Sequence, residues 1–100
     1  MSEIAVERRP DERRYELLVD GAPAGELVYR DRGSGVLAFL HTEVDPNVRL
    51  RGLGSALVAG ALDDARARGL RIVPLCPFVD AYVRRNPEYA DLVADDPARR

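Results

Sequence analysis

An amphipathic helical pattern in the second half of the chain limits the folds that this sequence can adopt. Charged residues occupy one face of this segment, and apolar residues recur at every fourth position on the other, at Leu53, Leu57, Ala61 and Ala65. This spacing is typical of a helix of about four turns that buries one side. Gly69 is suited to the left-handed C-terminal cap. Gly60, inside the helix, costs about 1 kcal/mol relative to alanine, so it predicts close packing there.

Two apolar segments flank this helix. Val36–Val44 begins with five consecutive apolar residues, which predicts a strand that is buried on both faces and lies centrally in a sheet. Residues 71–75 form a second and shorter apolar segment. A strand, a helix and a strand at this spacing form a right-handed crossover between parallel neighbours. The second half of the chain therefore predicts an α/β arrangement.

The first half of the chain has short alternating segments that predict an antiparallel meander. We expect strands at residues 4–8, 13–19 and 24–30, with a tight hairpin turn at Asp20-Gly21, because both residue types tolerate positive φ. A final helix is expected from Pro77 to about Arg85. The predicted fold is a mixed α/β domain that spans residues 1–100 in the order β-β-β-β-α-β-α.

Charge and residue types exclude several classes of function. All fifteen basic residues are arginines, which excludes Schiff-base lysines and Walker-type phosphate loops. A formal charge of −2 lacks the basic field of a module that binds nucleic-acid duplexes. No metal site is predicted. A single cysteine, Cys76, cannot form an internal disulfide, and no segment has the apolar length of a signal peptide or a membrane span, so we expect a cytoplasmic protein.

A glycine-containing loop, residues 49–56, joins the buried strand to the long helix. Unpaired backbone N–H groups converge at such a helix start, and glycines let an anion approach the backbone. The loop therefore predicts either a phosphate or pyrophosphate cradle or simply a tight turn. A dinucleotide-binding fingerprint is excluded, because Leu57 stands where that pattern needs a third glycine or alanine.

The motif Arg-x-x-Gly-x-Gly at a strand-to-helix junction resembles the acyl-CoA loop of the GCN5-related N-acetyltransferases. Further blocks at residues 41–44, 57–62, 69–79 and 82–89 agree, in order and spacing, with a small single-domain subfamily that includes the vertebrate NATD1-type proteins. The resemblance covers roughly residues 15–93. Leu50 departs from the pattern, since many acetyltransferases have glycine or a polar residue at that place.

The resemblance implies the fold of that family and acetyl-CoA as cosubstrate. The pyrophosphate would lie on the backbone N–H groups of residues 51–55, and the pantetheine arm between the ends of the central strand and the strand that ends near Leu75. A helix cap or a turn is the alternative role for Asn86. The residues implied in CoA binding are Val44, Arg49, Arg51, Gly52, Leu53, Gly54, Ser55 and Asn86.

Four side chains are candidates for the chemistry. Glu43, near the end of the central strand, could accept the amine proton, and His41 would share its face unless a bulge breaks the alternation. Cys76, at a helix N-terminus, could be a nucleophile, a proton donor or a wall of the acetyl pocket. Tyr82 resembles the tyrosine that many acetyltransferases use to protonate the CoA thiolate. Each candidate also has a purely structural alternative: an exposed carboxylate for Glu43, a sheet histidine for His41, a buried thiol for Cys76 and a packed ring for Tyr82.

These residues predict an acetyl-CoA-dependent N-acetyltransferase that transfers acetyl directly to a primary amine. The alternative is a CoA-binding module that has little or no catalysis and acts through a protein partner, because 100 residues leave little chain to build an acceptor pocket. A homodimer could supply the missing wall. Neither nucleic acid nor a membrane is an expected partner, and the identity of the amine is open.

Overall fold

The computed structural model describes residues 2–94, which form a mixed five-stranded sheet with helices packed against it. The strands are β1 (Ile4–Arg9), β2 (Arg14–Val19), β3 (Ala22–Asp31), β4 (Val36–Val44) and β5 (Arg71–Pro74). The α-helices are α1 (Leu53–Ala67) and α2 (Pro77–Arg85), and short 3₁₀ helices span Pro10–Glu12 and Pro87–Leu92. This element order confirms the predicted one.

The strands lie in the sheet in chain order, β1-β2-β3-β4-β5. The first three pairings are antiparallel and the last, between β4 and β5, is parallel. The parallel pair is joined by α1, which confirms the crossover. The hairpin between β2 and β3 turns at Asp20 (φ 50°) and Gly21 (φ 81°), so both residues take the expected positive φ.

Two strand predictions need correction. β5 ends at Pro74, because the Leu75 N–H donates to the Val73 carbonyl at 3.0 Å and turns the chain out of the strand. β4 is buried on both faces only over residues 37–39. Its partner β5 pairs with Val36–Phe39 alone, so residues 40–44 extend past β5.

The core lies between one face of the sheet and α1. The predicted apolar stripe of α1 is buried, and it packs against Leu17, Leu27 and Phe39 on β2, β3 and β4. Each of these side chains contributes about 2 kcal/mol through the apolar area that it removes from water. At Gly60 a Cβ would lie 2.6 Å from the Val6 side chain, which confirms the close packing predicted there.

Helix α2 and the segment after it complete the same core. Val79 and Val83 of α2 are buried, as are Tyr89 and Leu92. The chain then returns to the edge of β5, where the Ala94 N–H donates to the Ile72 carbonyl at 2.8 Å. No helix within residues 2–94 combines the length and apolar character needed to cross a bilayer.

Candidate functional site

The ends of β4 and β5 separate at a point that faces the N-termini of two helices. The last paired residues are Phe39 and Pro74, and the Cys76 N–H still donates to the Phe39 carbonyl at 2.9 Å. Past this point β4 continues alone, while the chain from β5 enters α2 at Pro77. The carboxyl ends of parallel strands, each followed by a helix N-terminus, are where open α/β sheets bind ligands.

The glycine loop combines a turn with an open helix end. Gly52, the residue before α1, has φ 74°, and its carbonyl accepts the Ala56 N–H at 2.9 Å. No side chain caps this helix, so the N–H groups of residues 53–55 have no side-chain acceptor. Arg49 and Arg51 are exposed beside them. The loop thus has the backbone donors and the cationic side chains that an anion requires.

Gly54 has a packing role that the sequence pattern did not indicate. A Cβ at this position would lie 2.8 Å from Phe78 Cζ, so the missing side chain makes room for the Phe78 ring of α2. At Gly52 a Cβ would meet no other atom, so space does not require glycine there. Its positive φ does, because other residue types adopt that conformation only with strain. Ser55 is half-buried in the first turn of α1 together with the buried Leu53.

Val44 and Asn86, the remaining residues implied in CoA binding, lie at the ends of β4 and α2. Val44, the last residue of β4, is half-buried and packs against the core. The Asn86 side chain donates from Nδ2 to the Tyr82 carbonyl at 2.8 Å and so caps α2. A nine-residue helix is about 13 Å long, so the structure does not bring Asn86 close to the N-terminal end of α2.

His41 and Glu43 share one face of β4. The register of β3 against β4 shifts at Leu40, which lies unpaired between Phe39 and His41. Because this bulge precedes both residues, their alternation is intact, and His41 Nε2 lies 3.5 Å from Glu43 Oε2. Their side chains are 62% and 72% exposed. A pair so exposed is weakly held, which leaves Glu43 free to contact another group.

Glu43 lines a shallow depression of about 430 Å³ on the face of the sheet that the helices do not cover. Glu16, Glu26 and Glu43 lie opposite one another across β2, β3 and β4, and partners in a sheet share a face. Hydrogen bonds from Arg9 hold the pKa of Glu16 below its usual value. Four of its nine lining residues are acidic and one is an arginine; the full lining is Arg14, Glu16, Pro23, Ala24, Gly25, Glu26, Glu43, Asp45 and Pro46.

Cys76 and Tyr82 lie on the helical side of the sheet, with Thr42 beside Cys76. Cys76 is 5% exposed, and its Sγ lies 3.6 Å from Thr42 Oγ1. The half-buried Tyr82 ring lies 6.0 Å from the ring of Tyr89. Burial, followed by the carboxylates of Glu88 and Asp63, raises the pKa of Tyr82.

The four candidate side chains therefore form two groups on opposite faces of the sheet. His41 and Glu43 lie on the open face, and Cys76 and Tyr82 lie among the helices. Sequence reasoning missed Thr42, although strand alternation alone places it on the face opposite His41 and Glu43.

A family model described as GCN5-related N-acetyl-transferase matches residues 14–92. Among curated proteins, Protein NATD1 of Mus musculus is 29% identical over 85 residues, which cover 84% of this chain and 77% of that protein. Protein NATD1 of Homo sapiens is also 29% identical over 85 residues, which cover 84% of this chain and 75% of that protein.

Two solved structures share the fold. A GCN5-like protein from Staphylococcus aureus, determined by NMR in solution, has a TM-score of 0.69 at 21% identity and covers 96% of this chain and 93% of its own. N-acetylglutamate synthase from Neisseria gonorrhoeae, complexed with coenzyme A and N-acetyl-glutamate, has a TM-score of 0.54 at 16% identity. That match covers 88% of this chain and 26% of the synthase.

Proposed function

Because this chain belongs to the GCN5-related N-acetyltransferase family and is similar to NATD1, we propose that it transfers the acetyl group of acetyl-CoA directly to a primary amine. The observation that carries this proposal is the separation of β4 from β5 in front of two helix N-termini. A thioester bound at this point would have the end of β4 that extends past β5 on one side and the first turns of α1 and α2 on the other. The CoA-bound neighbour of the same fold supports acetyl-CoA as the acetyl donor.

In this proposal the glycine loop holds the pyrophosphate of CoA. The N–H groups of residues 51–55 donate to the phosphate oxygens, and Arg49 and Arg51 add charge-assisted contacts. The uncapped first turn of α1 and the exposure of both arginines support this role. Val44 and Cys76 would contact the pantetheine arm and the acetyl group, and Asn86 would join the site only through a more distant part of CoA.

The acceptor amine would approach from the open face of the sheet. A primary amine is protonated near neutral pH, so the acidic lining around Glu43 favours its approach. Glu43, with His41 beside it, would accept the proton that the amine must lose before its nitrogen attacks the carbonyl carbon. Both side chains are exposed enough to exchange that proton with water.

On the other face, Tyr82 would supply the proton for the departing sulfur. The nitrogen–carbon bond forms and the carbon–sulfur bond breaks, while the sulfur of CoA takes the Tyr82 hydroxyl proton. The nitrogen gives its second proton to Glu43, which has by then returned the first to water, and the amide results. Cys76 would form a wall of the acetyl pocket, because direct transfer needs no acyl-enzyme. The low exposure of its thiol and its contact with Thr42 support this role.

Calorimetric titration with acetyl-CoA, followed by assays of CoA release over a panel of amines, tests the proposal. We expect binding by the wild-type chain, weakening of about tenfold in Arg51→Gln from loss of one charge-assisted contact, and no change in Arg30→Gln, an exposed arginine on β3. Cys76→Ser should retain transfer. Absence of binding would overturn the proposal. Binding without release of CoA from any amine would instead leave a CoA-binding module that acts through a partner.

A further inference from the structure

A chain of contacts outside the glycine loop connects α1 to Tyr82. The Tyr89 hydroxyl donates a hydrogen bond to Asp63 Oδ1 at 2.8 Å. Tyr89 is buried, and its ring lies 6.0 Å from that of Tyr82 at an interplanar angle of 38°. The side chain that flanks Tyr82 is therefore tied to α1 at its far end.

Arg66 fixes the segment that carries Tyr89. Its guanidinium donates to both carboxylate oxygens of Asp91 at 2.9 Å and to the Glu88 carbonyl at 2.7 Å. The same guanidinium lies 6.0 Å from the centre of the Tyr89 ring. Two-pronged contacts between arginine and carboxylate hold their partners in one geometry. The segment Pro87–Leu92 is thus held on α1 on both sides of Tyr89.

The charged groups around Tyr82 come from three elements. Asp63 faces it from α1, Glu88 from the segment Pro87–Leu92, and Arg85 from α2 itself. The two carboxylates, together with burial, raise the pKa of Tyr82, while Arg85 acts in the opposite direction. A hydroxyl in this setting keeps its proton through the neutral and mildly alkaline range.

We propose that Asp63 and Tyr89 are positioning residues for the Tyr82 hydroxyl. Tyr89 fixes the place of the Tyr82 ring, and Asp63 holds Tyr89 through the hydrogen bond to its hydroxyl. The Asp63 carboxylate also places negative charge near Tyr82, which favours the protonated hydroxyl. When the oxygen–hydrogen bond of Tyr82 breaks and the sulfur–hydrogen bond forms, water restores the proton to the phenolate. The inference rests on the proposed function, in which Tyr82 is the proton donor.

Two substitutions separate charge from position. Asp63→Asn removes the charge but retains an oxygen that can accept the Tyr89 hydroxyl, and Tyr89→Phe keeps the ring but removes the hydrogen bond. Asp64→Asn is the matched control. Asp64 is the next residue of α1, and its carboxylate also accepts a hydrogen bond from a tyrosine hydroxyl, that of Tyr15 at 2.8 Å.

The readout is the alkaline titration of Tyr82, followed by absorbance near 295 nm and assigned by subtracting the Tyr82→Phe curve in each background. We expect Asp63→Asn to lower the midpoint, because it removes a carboxylate that disfavours the phenolate, and Asp63→Glu and Asp64→Asn to leave it in place. In the transfer assay Tyr89→Phe should lower kcat several-fold at unchanged KM for acetyl-CoA.

Equal midpoints in the wild-type chain and Asp63→Asn, or equal shifts in Asp63→Asn and Asp64→Asn, would overturn the inference, as would an unchanged kcat in Tyr89→Phe. Circular dichroism checks that each variant is folded. If Asp63→Asn does not fold, Asp63→Glu, which keeps the charge but moves it, is compared with the wild-type chain instead. The titration uses the free protein, so a failure of the proposed function, seen as no CoA release by the wild-type chain, is distinguished from a failure of this inference.

Discussion

Glu16 is a carboxylate that the fold buries, with 8% of its surface exposed. Arg9 Nη2 lies 2.9 Å from one of its oxygens and Arg14 Nη1 lies 3.1 Å from the other. A buried charge without such partners would cost several kcal/mol. The hydrogen bond from Arg9 is the main cause that lowers the pKa of Glu16, against the effect of burial.

We expect Glu16→Gln to lower the free energy of unfolding at pH 7 by about 1–2 kcal/mol, because the three hydrogen bonds that two arginines donate to this charged group are weakened. Since the pKa of Glu16 lies below its ordinary value of 4.5 in the folded protein, this contribution is complete above about pH 5 and is lost as the pH falls through the folded value. Urea unfolding at pH 7 and pH 3 measures the difference between Glu16→Gln and the wild-type chain, which should be smaller at pH 3.

Glu26→Gln is the control for this effect. Glu26 lies 3.7 Å from the same Arg14, but its side chain is 39% exposed, so its loss should change stability little. If Glu16→Gln lowers the free energy of unfolding equally at pH 3 and at pH 7, the packing of the Glu16 side chain, and not its charge, stabilises this site.

The contact of α1 with β1 depends on Gly60. An alanine there would place its Cβ 2.6 Å from Val6, a stiff β-branched residue of β1. We expect Gly60→Ala to destabilise the fold by about 1–2 kcal/mol, because overpacking outweighs the gain of about 1 kcal/mol in helix propensity. Urea unfolding measures the change.

Gly54→Ala is the matched substitution in the same helix. Its Cβ would meet the tip of the exposed Phe78 ring, which can rotate away. Its effect on stability should therefore stay within about 1 kcal/mol. Equal losses of stability in the two variants would show that backbone strain within α1, and not the contact with β1, causes the loss.

The elements could be predicted from the sequence wherever a local pattern determines them. The four-residue spacing from Leu53 to Ala65 predicts a helix with one buried face, and the structure buries all four positions. The pair Asp20-Gly21 predicts its turn, because the required positive φ depends on those two residue types. The end of β5 was less predictable, since a single hydrogen bond from Leu75 determines it.

The candidate site was predicted less completely, because its contacts join distant residues. The loop at Gly52 carries a local signal, but the ring that fills the space beside Gly54 comes from α2. Similarly, Asp63 and Tyr89 are 26 residues apart, and no spacing rule connects them. Strand alternation places Thr42 opposite His41 and Glu43, but the bulge at Leu40 determines that Thr42 is the one that faces the helices.

In the molecule as a whole, the helices cover one face of the sheet, and the other face carries the partly exposed carboxylate of Glu26 and the exposed one of Glu43. The proposed acetyl-CoA site lies at the edge where these two sides meet, and it draws on β4, β5, α1 and α2 together. A site assembled from four elements exists only in the folded chain. Ligand binding should therefore stabilise every part of the core and not only its own surroundings.

Acetyl-CoA at 100 times its Kd should raise the free energy of unfolding by about 2.7 kcal/mol. Amides that exchange only by global unfolding should then exchange about 100-fold more slowly. These should include Leu17 and Leu27, which are fully buried in β2 and β3. Hydrogen exchange measured with and without acetyl-CoA tests this, with Arg51→Gln at the same ligand concentration as the control. Slowing restricted to the amides around Gly52 would contradict the expectation, because it would mean that the ligand also binds chains whose core has opened.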